Sequence, residues 1–245
     1  MATFLLVHGA WHGGWAWQRV APLLESAGHR VDVLDLPGHG DNPAPVSEMT
    51  LDANARLVAD RVEAAGEPVV LVGHSMGGIS ITHAAELVPE RIATLVYVCA
   101  FLPGDGQSLA QLADGDPATL VLPNLVVDEA AGTCVVKHDA LQAAFFGECS
   151  DEDAAWAISQ VVPESLAVVG TPVRITEERA GSVPRVYIEC EHDRAIGIAR
   201  QRQMWADRPC AQVFTLDADH SPFLSRPVEL AEHLLGLAPA SQSAG

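Results

Sequence analysis

The stretch that decides the fold is Val69-Val-Leu-Val-Gly-His-Ser-Met-Gly-Gly78. Its first half is a continuous apolar run, which is typical of a strand buried on both faces. Its second half matches the pattern G-x-S-x-G, in which a sharp strand-to-helix turn exposes a serine hydroxyl. The glycines two residues before and two residues after Ser75 allow neighbouring backbone to approach where a Cβ would not fit. The stretch therefore predicts a strand, a turn that carries a candidate nucleophile at Ser75, and a helix.

Similar apolar runs alternate with helical patterns along most of the 245 residues. This alternation predicts an α/β fold, a mainly parallel, doubly wound sheet with helices on both faces. Because the strand runs are continuous, all of them are expected to be buried. The predicted strands are Thr3–His8, His29–Asp35, Pro68–Gly73, Ile92–Ala100, Pro184–Cys190 and Ala211–Leu216. The predicted helices lie near Trp15–Ala27, Leu51–Ala65, Met76–Val88, Ile198–Trp205 and Pro227–Leu237.

One long segment, residues 104–183, breaks this rhythm because it contains no convincing pair of buried strands. Its helical patterns are weak and lie around Ser108–Ala113, His138–Phe146 and Asp151–Gln160. It holds 13 acidic and 3 basic residues, so it carries −10 of the formal net charge of −18. A long insertion between strands is usually a lid or a binding element, although a surface excursion without function is the alternative. We predict an α/β core formed by residues 1–103 and 184–245, with an inserted helical lid (cap) at 104–183. The Ala/Ser tail after Ala238 is expected to fray.

A serine hydroxyl needs a general base, which is normally an oriented histidine. Behind a G-x-S-x-G turn, the usual chain order is serine, then acid, then histidine. Among the histidines after Ser75, His138 falls in the predicted lid and His233 falls inside a helical pattern. His220 directly follows the last predicted strand, which puts it on a loop at the same sheet edge as Ser75. His220 is therefore the predicted base.

The acid is expected on the loop after the preceding strand, which runs into Glu191-His-Asp193. Asp193 is the predicted acid, because it lies beyond the end of the strand and can accept a hydrogen bond from Nδ1–H of the histidine. Glu189 and Glu191 compete for this role. Asp217 and Asp219 are less favoured, because a close neighbour in sequence cannot easily fold back to orient the ring.

Two backbone amides are the predicted oxyanion hole. The N–H of Met76 directly follows the nucleophile, and the N–H of Ala10 lies in the glycine-rich loop after the first strand. Three neighbours of Ala10 on this loop, Gly9, Trp11 and His12, are predicted to contact the substrate.

The same loop carries His8 and His12, whose spacing suggests a metal site. The loop is not helical and no third ligand is suggested, so neither a metal nor another cofactor is predicted.

Composition narrows the classes of partner. With 32 Asp and Glu against 14 Lys and Arg, the chain would be repelled by nucleic acid and by anionic membranes. No run reaches the roughly 18 apolar residues of a membrane helix, and Met1–Val7 reads as a strand and not as a signal peptide. The five cysteines are odd in number and form no C-x-x-C pair, so free thiols are predicted. A cytoplasmic location is expected.

Taken together, five segments resemble the α/β-hydrolase group that contains plant methylesterases, bacterial carboxylesterases and hydroxynitrile lyases. The matching segments are Val7-His-Gly-Ala-Trp-His-Gly-Gly-Trp15, Leu36-Pro-Gly-His-Gly40, Gly73-His-Ser-Met-Gly-Gly78, Phe101-Leu-Pro103 and Ala218-Asp-His220. They span most of the chain except the predicted lid. The resemblance implies a lid over the site, no cofactor, a triad of Ser75, Asp193 and His220, and oxyanion donors at Ala10 and Met76. Relatives in this group are often dimers, so a homodimer is left open.

Two positions separate lyases from esterases in this group. The lyases carry threonine where Gly9 stands, and lysine directly after the triad histidine, where this chain has Ser221. A lyase needs that cation to stabilise departing cyanide. Ser75 also excludes the aspartate-nucleophile route of dehalogenases and epoxide hydrolases.

The resulting prediction is a serine carboxylesterase that hydrolyses a small apolar or aromatic carboxylic ester through an acyl-Ser75 intermediate. Hydroxynitrile-lyase cleavage of a carbon–carbon bond and a small-molecule receptor with weak hydrolase activity are the alternatives.

Overall fold

The central sheet of the computed structural model, which describes residues 1–238, contains six parallel strands. The strands of the whole described chain are β1 (Thr3–Val7), β2 (Arg30–Leu34), β3 (Val69–His74), β4 (Ile92–Val98), β5 (Leu125–Asp128), β6 (Thr133–Val136), β7 (Glu164–Ser165), β8 (Arg185–Cys190) and β9 (Gln212–Leu216). The six strands of the central sheet lie in the order β2-β1-β3-β4-β8-β9. The predicted α/β class, parallel sheet and order of elements are confirmed. The tail after Ala238, predicted to fray, lies outside the described residues.

Helices follow the strands, as the alternating pattern predicts. They are α1 (Ala21–Ser26), α2 (Leu51–Ala64), α3 (Gly77–Leu87), α4 (Leu109–Ala113), α5 (His138–Phe145), α6 (Asp151–Gln160), α7 (Leu166–Gly170), α8 (Ile198–Asp207), α9 (Pro222–Ser225) and α10 (Pro227–Leu235). Within residues 1–238, no helix is both long enough and apolar enough to cross a bilayer.

The predicted helix Trp15–Ala27 is wrong as a single element. A 3₁₀ turn covers Gly14–Trp17, and α1 begins only at Ala21. Pro22 explains the break, because proline lacks the N–H that a continuing helix needs and is suited to a first turn.

Burial along the sheet follows strand position. Every residue of β1 and β3 is buried, as their continuous apolar runs predict. The expectation of burial is wrong for β2 and β9, in which only the last residue, Leu34 or Leu216, is buried. Both are edge strands, so each has a strand neighbour on one side only, and helices do not cover them fully.

The segment between β4 and β8 holds a small sheet that the sequence patterns did not predict. β5 pairs antiparallel with β6, and β6 pairs with β7. Val126 and Val127 of β5 are 46% and 48% exposed, so this strand has no buried face to produce an alternating pattern. Trp11 fastens the segment to the core, since its Nε1–H donates to the Cys134 carbonyl at 3.0 Å and its carbonyl accepts from the Val162 amide at 3.0 Å.

Candidate active site

Ser75 occupies the turn between β3 and α3 and has a left-handed backbone with φ of 52°. Close packing forces this turn, because a Cβ on Gly73 would lie 2.7 Å from the backbone of Gly77. A Cβ on Gly77 would in turn lie 2.7 Å from the carbonyl oxygen of His8. A non-glycine residue at positive φ is strained and is held only by its surroundings. The Ser75 hydroxyl is thus presented at the carboxyl edge of the sheet by a rigid support.

Three predicted residues meet at this edge. The Nε2 atom of His220 lies 3.0 Å from the Oγ atom of Ser75. Its Nδ1 atom lies 2.8 Å from Oδ2 of Asp193, and both side chains are almost fully buried. With the carboxylate accepting the proton of Nδ1, Nε2 is left as the acceptor that can take the serine proton. The arrangement can therefore activate a hydroxyl nucleophile.

Asp193 is held by several donors besides His220. Its Oδ1 atom accepts the amides of Ala195 and Ile196 at 2.7 and 2.8 Å. Its Oδ2 atom also accepts Nε2 of the buried Gln201 at 3.1 Å. The Oε1 atom of Gln201 accepts the Cys190 amide at 3.1 Å, which ties α8 to the end of β8. Sequence reasoning missed Gln201, because a glutamine in an amphipathic helix carries no local sign of a buried role.

The competing carboxylates are engaged elsewhere. Glu189 is bound by Arg202 at 2.8 Å and by Trp205 at 3.0 Å. Asp217 pairs with His192 at 2.7 Å and is exposed. Asp219 is buried but bonds the amide of Ser221 and the hydroxyl of Ser225. Glu191 is exposed.

Three further histidines lie near the turn and are neutral. Burial lowers the pKa of His12 to about 3, and burial likewise holds the pKa values of His8 and His74 well below the ordinary range. His8 accepts the amide of Leu36 through Nε2 at 3.0 Å, so it is a structural side chain of the core. His74, the residue before Ser75, contacts the carbonyl of His220 through Nε2 at 2.8 Å. Since a carbonyl only accepts, His74 donates this hydrogen bond and supports the backbone of His220.

The predicted oxyanion donors both lie beside Ser75. Ala10 and Met76 both line the main cavity next to the serine. Among the described residues, no acceptor takes the amide N–H of either one. Two unpaired amides beside a nucleophile can stabilise a negatively charged oxygen.

The main cavity has a volume of about 390 Å³ and opens on Ser75. Its walls come from both the core and the segment between β4 and β8, and its described lining contains no lysine, arginine or histidine. Large apolar side chains form most of the wall, among them Trp11, Phe101, Leu109, Val121, Leu125, Phe145, Val169 and Ile196. An uncharged apolar molecule suits this cavity.

The three residues predicted to contact substrate lie in different places. Trp11 lines the cavity. Gly9 packs behind the serine, where a Cβ would lie 2.7 Å from the Ser75 Cβ. His12 stacks on Trp15, with ring centroids 5.1 Å apart, inside the aromatic cluster behind the site. Gly9 and His12 are not among the described lining residues.

Comparisons with known proteins match nearly the whole chain. The sequence model of the Alpha/beta hydrolase family matches residues 4–233. Methylesterase 9 of Arabidopsis thaliana is 33% identical, and the match covers 97% of this chain and 98% of that protein. Salicylic acid-binding protein 2 of Nicotiana tabacum is 36% identical, with 96% of each chain covered. The crystal structure of a pyrethroid hydrolase from Sphingobium faniae superposes with a TM-score of 0.88 at 31% identity, covering 98% of each chain.

Proposed function

Because the chain belongs to the Alpha/beta hydrolase family and is an ester hydrolase, we propose that it is a serine carboxylesterase acting on small, apolar or aromatic carboxylic esters. The observation that carries this proposal is the buried hydrogen-bonded chain from Ser75 through His220 to Asp193, which opens into an apolar cavity. The methylesterases and the pyrethroid hydrolase among the relatives support a carboxylic ester as the substrate.

The proposed reaction has two halves. Ser75 Oγ attacks the ester carbonyl carbon while its proton passes to His220 Nε2, and Asp193 stabilises the imidazolium that forms. The amides of Ala10 and Met76 donate hydrogen bonds to the oxyanion of the tetrahedral intermediate. His220 returns the proton to the departing alcohol as the C–O bond breaks and acyl-Ser75 forms. Water, deprotonated by His220, then attacks the acyl group, releases the carboxylic acid and restores the serine.

Residues 104–183 act in this proposal as the lid. Support comes from the cavity wall, to which this segment contributes Leu109, Val121, Leu125 and Phe145 opposite Ser75. An apolar wall that keeps bulk water from the acyl group strengthens the interaction of the oxyanion with the two amides. The five free thiols are consistent with work in a reducing compartment such as the cytoplasm.

The test is Ser75→Ala, assayed with a p-nitrophenyl ester of an apolar acid. The variant should retain the circular dichroism spectrum of the wild type and lose turnover by about 10⁴-fold or more, because the hydroxyl bonded to His220 is removed. A stoichiometric burst of p-nitrophenol from the wild type would identify the acyl-enzyme. Wild-type turnover in the folded alanine variant would refute the serine mechanism.

Lyase action on cyanohydrins is the alternative that the geometry disfavours. A threonine at position 9 would place its Cβ 2.7 Å from the Ser75 Cβ, and position 221, directly after His220, is a serine and not a cation. We expect no release of benzaldehyde from mandelonitrile above the rate in buffer. Catalysed release would favour the lyase, whereas tight ligand binding without turnover of any ester would favour a receptor.

A further inference from the structure

We propose that Asp219 is a positioning residue that fastens the lid to the catalytic histidine, so that the cavity wall and the general base are held as one unit. This inference rests on the proposed function, because it assigns the lid to residues 104–183 and the base to His220.

Asp219 is a buried carboxylate, 3% exposed, next to His220 in the chain. Its Oδ1 atom accepts the Ser221 amide at 3.0 Å and the Ser225 hydroxyl at 2.8 Å, which closes the turn that carries His220. Its Oδ2 atom accepts the Glu148 amide at 2.9 Å, from a residue 71 positions earlier in the chain. A buried carboxylate without a cationic partner needs several donors, and Asp219 has them from two separate parts of the fold.

Cys149 adds a fourth donor. Its Sγ lies 3.8 Å from Oδ2 of Asp219. Burial, reinforced by the negative charge of Asp219, raises the pKa of the Cys149 thiol, so it stays protonated and can donate. Both Glu148 and Cys149 belong to the short turn between α5 and α6, which is therefore pinned to the loop of His220.

The pinned turn sets the position of Phe145, the last residue of α5. The Phe145 ring lies 5.6 Å from the His220 ring between centroids and 5.7 Å from that of Trp11. Phe145 also lines the cavity. If the turn moved, both a wall of the acyl cavity and the packing partner of the imidazole would move with it.

Asparagine at position 219 cannot reproduce these bonds. With its oxygen facing Glu148, its NH₂ group would face the amide of Ser221, so two donors would meet and one buried amide would lose its acceptor. If the side-chain amide is rotated by 180°, its NH₂ group faces the Glu148 amide instead, and that amide loses its acceptor. Asp219→Asn therefore tests the carboxylate with almost no change of shape.

The experiment compares Asp219→Asn with Asp217→Asn, using p-nitrophenyl acetate and a p-nitrophenyl ester with a bulky apolar acyl group. Asp217 lies two residues away and is exposed, and its one side-chain partner among residues 1–238 is the exposed His192. Its variant should therefore change kcat/KM by no more than about twofold. For Asp219→Asn we expect kcat to fall with both esters and KM to rise with the bulky ester alone. The combined loss of kcat/KM for the bulky ester should be about 10²-fold, the scale of a small misplacement of catalytic groups.

Two further measurements separate positioning from loss of folded protein. Active-site titration measures the concentration of competent sites, and the rate is divided by that concentration to give kcat. A fall in kcat then cannot result from partial unfolding of the sample. Hydrogen exchange should quicken in peptides covering 142–150 and 217–226 and remain unchanged in β1 and β3. The exchange rates do not depend on catalysis. They therefore test the role of Asp219 even if the protein is not a serine esterase.

Ser225→Ala provides a milder variant if Asp219→Asn does not fold, because it removes one donor without stranding a buried amide. It should lower kcat by severalfold. The proposal is overturned if the folded Asp219 variant matches Asp217→Asn in kcat, KM and exchange. It is equally overturned if Ser225→Ala, tested in place of an unfolded Asp219→Asn, retains wild-type kcat and exchange.

Discussion

At the scale of single residues, Gly9 shows how tightly the site is assembled. A Cβ at this position would lie 2.7 Å from the Cβ of Ser75 and 2.9 Å from Nδ1 of His74. Both neighbours are fixed, since Ser75 sits on a strained turn and His74 is bound to the His220 carbonyl. The added atom therefore cannot be accommodated by a flexible side chain and must displace Ser75 or the support of His220.

Gly9→Ala should lower kcat/KM by about 10²-fold, because a shift of the nucleophile by a fraction of an ångström disrupts the attack geometry. Overpacking should also cost about 1–3 kcal/mol of unfolding free energy. Ester assays and urea unfolding measure the two effects. Gly170→Ala is the matched control, since no atom lies within 4 Å of a Cβ built there. Equal behaviour of the two variants would contradict this account of Gly9.

Gln201 is the second residue whose role can be tested alone. Gln201→Leu keeps the approximate volume and removes the amide that bonds Asp193 and Cys190. We expect kcat to fall by about tenfold, because Asp193 loses one of its fixed donors. Gln203→Leu, an exposed position on the same helix, should leave the kinetics unaltered. A normal kcat for Gln201→Leu would show that the two backbone amides suffice to hold Asp193.

At the scale of elements, β7 joins the lid to the loop after β2 through a buried ion pair. Nε2 of His39 lies 3.1 Å from Oε2 of Glu164, although the angles fall outside hydrogen-bond geometry. Burial, the largest single effect, would lower the pKa of His39. The interaction with Glu164, together with the Pro37 carbonyl and the negative charge of Asp35, outweighs burial, so the pKa of His39 is raised above its ordinary value. The charged pair thus contributes to the docking of the lid sheet on the core.

The sign of the pH effect follows from this raised pKa. The folded protein binds the His39 proton more tightly than the unfolded chain, whose histidines titrate near pH 6.5. The stabilisation is fully present below about pH 6.5 and is lost as the pH rises through the folded-state pKa. The difference in unfolding free energy between wild type and His39→Gln, measured in urea, should therefore be largest at about pH 6 and shrink at higher pH. The same pH dependence should vanish in a Glu164→Gln background, and its persistence there would rule out this pair as the cause.

At the scale of the whole molecule, the charge is strongly negative and unevenly spread. The formal net charge is −18, and the lid segment carries −10 of it. Asp114 lines the main cavity and is exposed, while no cation lines the described wall. Such a field repels anionic ligands over about 30 Å at 0.01 M salt and about 8 Å at 0.15 M salt.

An ester that carries a second, free carboxylate should therefore be a poor substrate at low salt. Raising the salt from about 0.01 M to about 0.15 M should increase its kcat/KM severalfold, because screening shortens the range of repulsion. The kcat/KM of the matched neutral ester should change little with salt. Asp114→Asn should reduce the difference in kcat/KM between the two esters at low salt. An equal change of kcat/KM with salt for both substrates would contradict an electrostatic origin.

Much of the site was predictable because of the way a parallel sheet is built. The strands all end at one edge, so residues that directly follow β3, β8 and β9 are brought together whatever the details of packing. Patterns local in sequence mark those strand ends, which is why Ser75, Asp193 and His220 could be named before their distances were known. The edge strands β2 and β9 and the exposed hairpin of β5 and β6 escaped prediction, because partial burial leaves no distinct pattern in a run of residues.

The sequence by itself determined the parallel sheet, the strained serine turn and the chain order of the three catalytic candidates, because each of these depends on a few residues that are adjacent in sequence. The sequence left Glu189 and Glu191 as competitors of Asp193, and the tertiary structure shows that Asp193 is the carboxylate bonded to His220. Only the tertiary structure decided what holds that carboxylate and which side chains line the cavity. Those outcomes depend on bonds such as His74 to His220 and Glu148 to Asp219, which join residues 146 and 71 positions apart. Buried hydrogen bonds of that kind form wherever the packed fold brings a donor to an acceptor, and neither partner carries a local sign of the other.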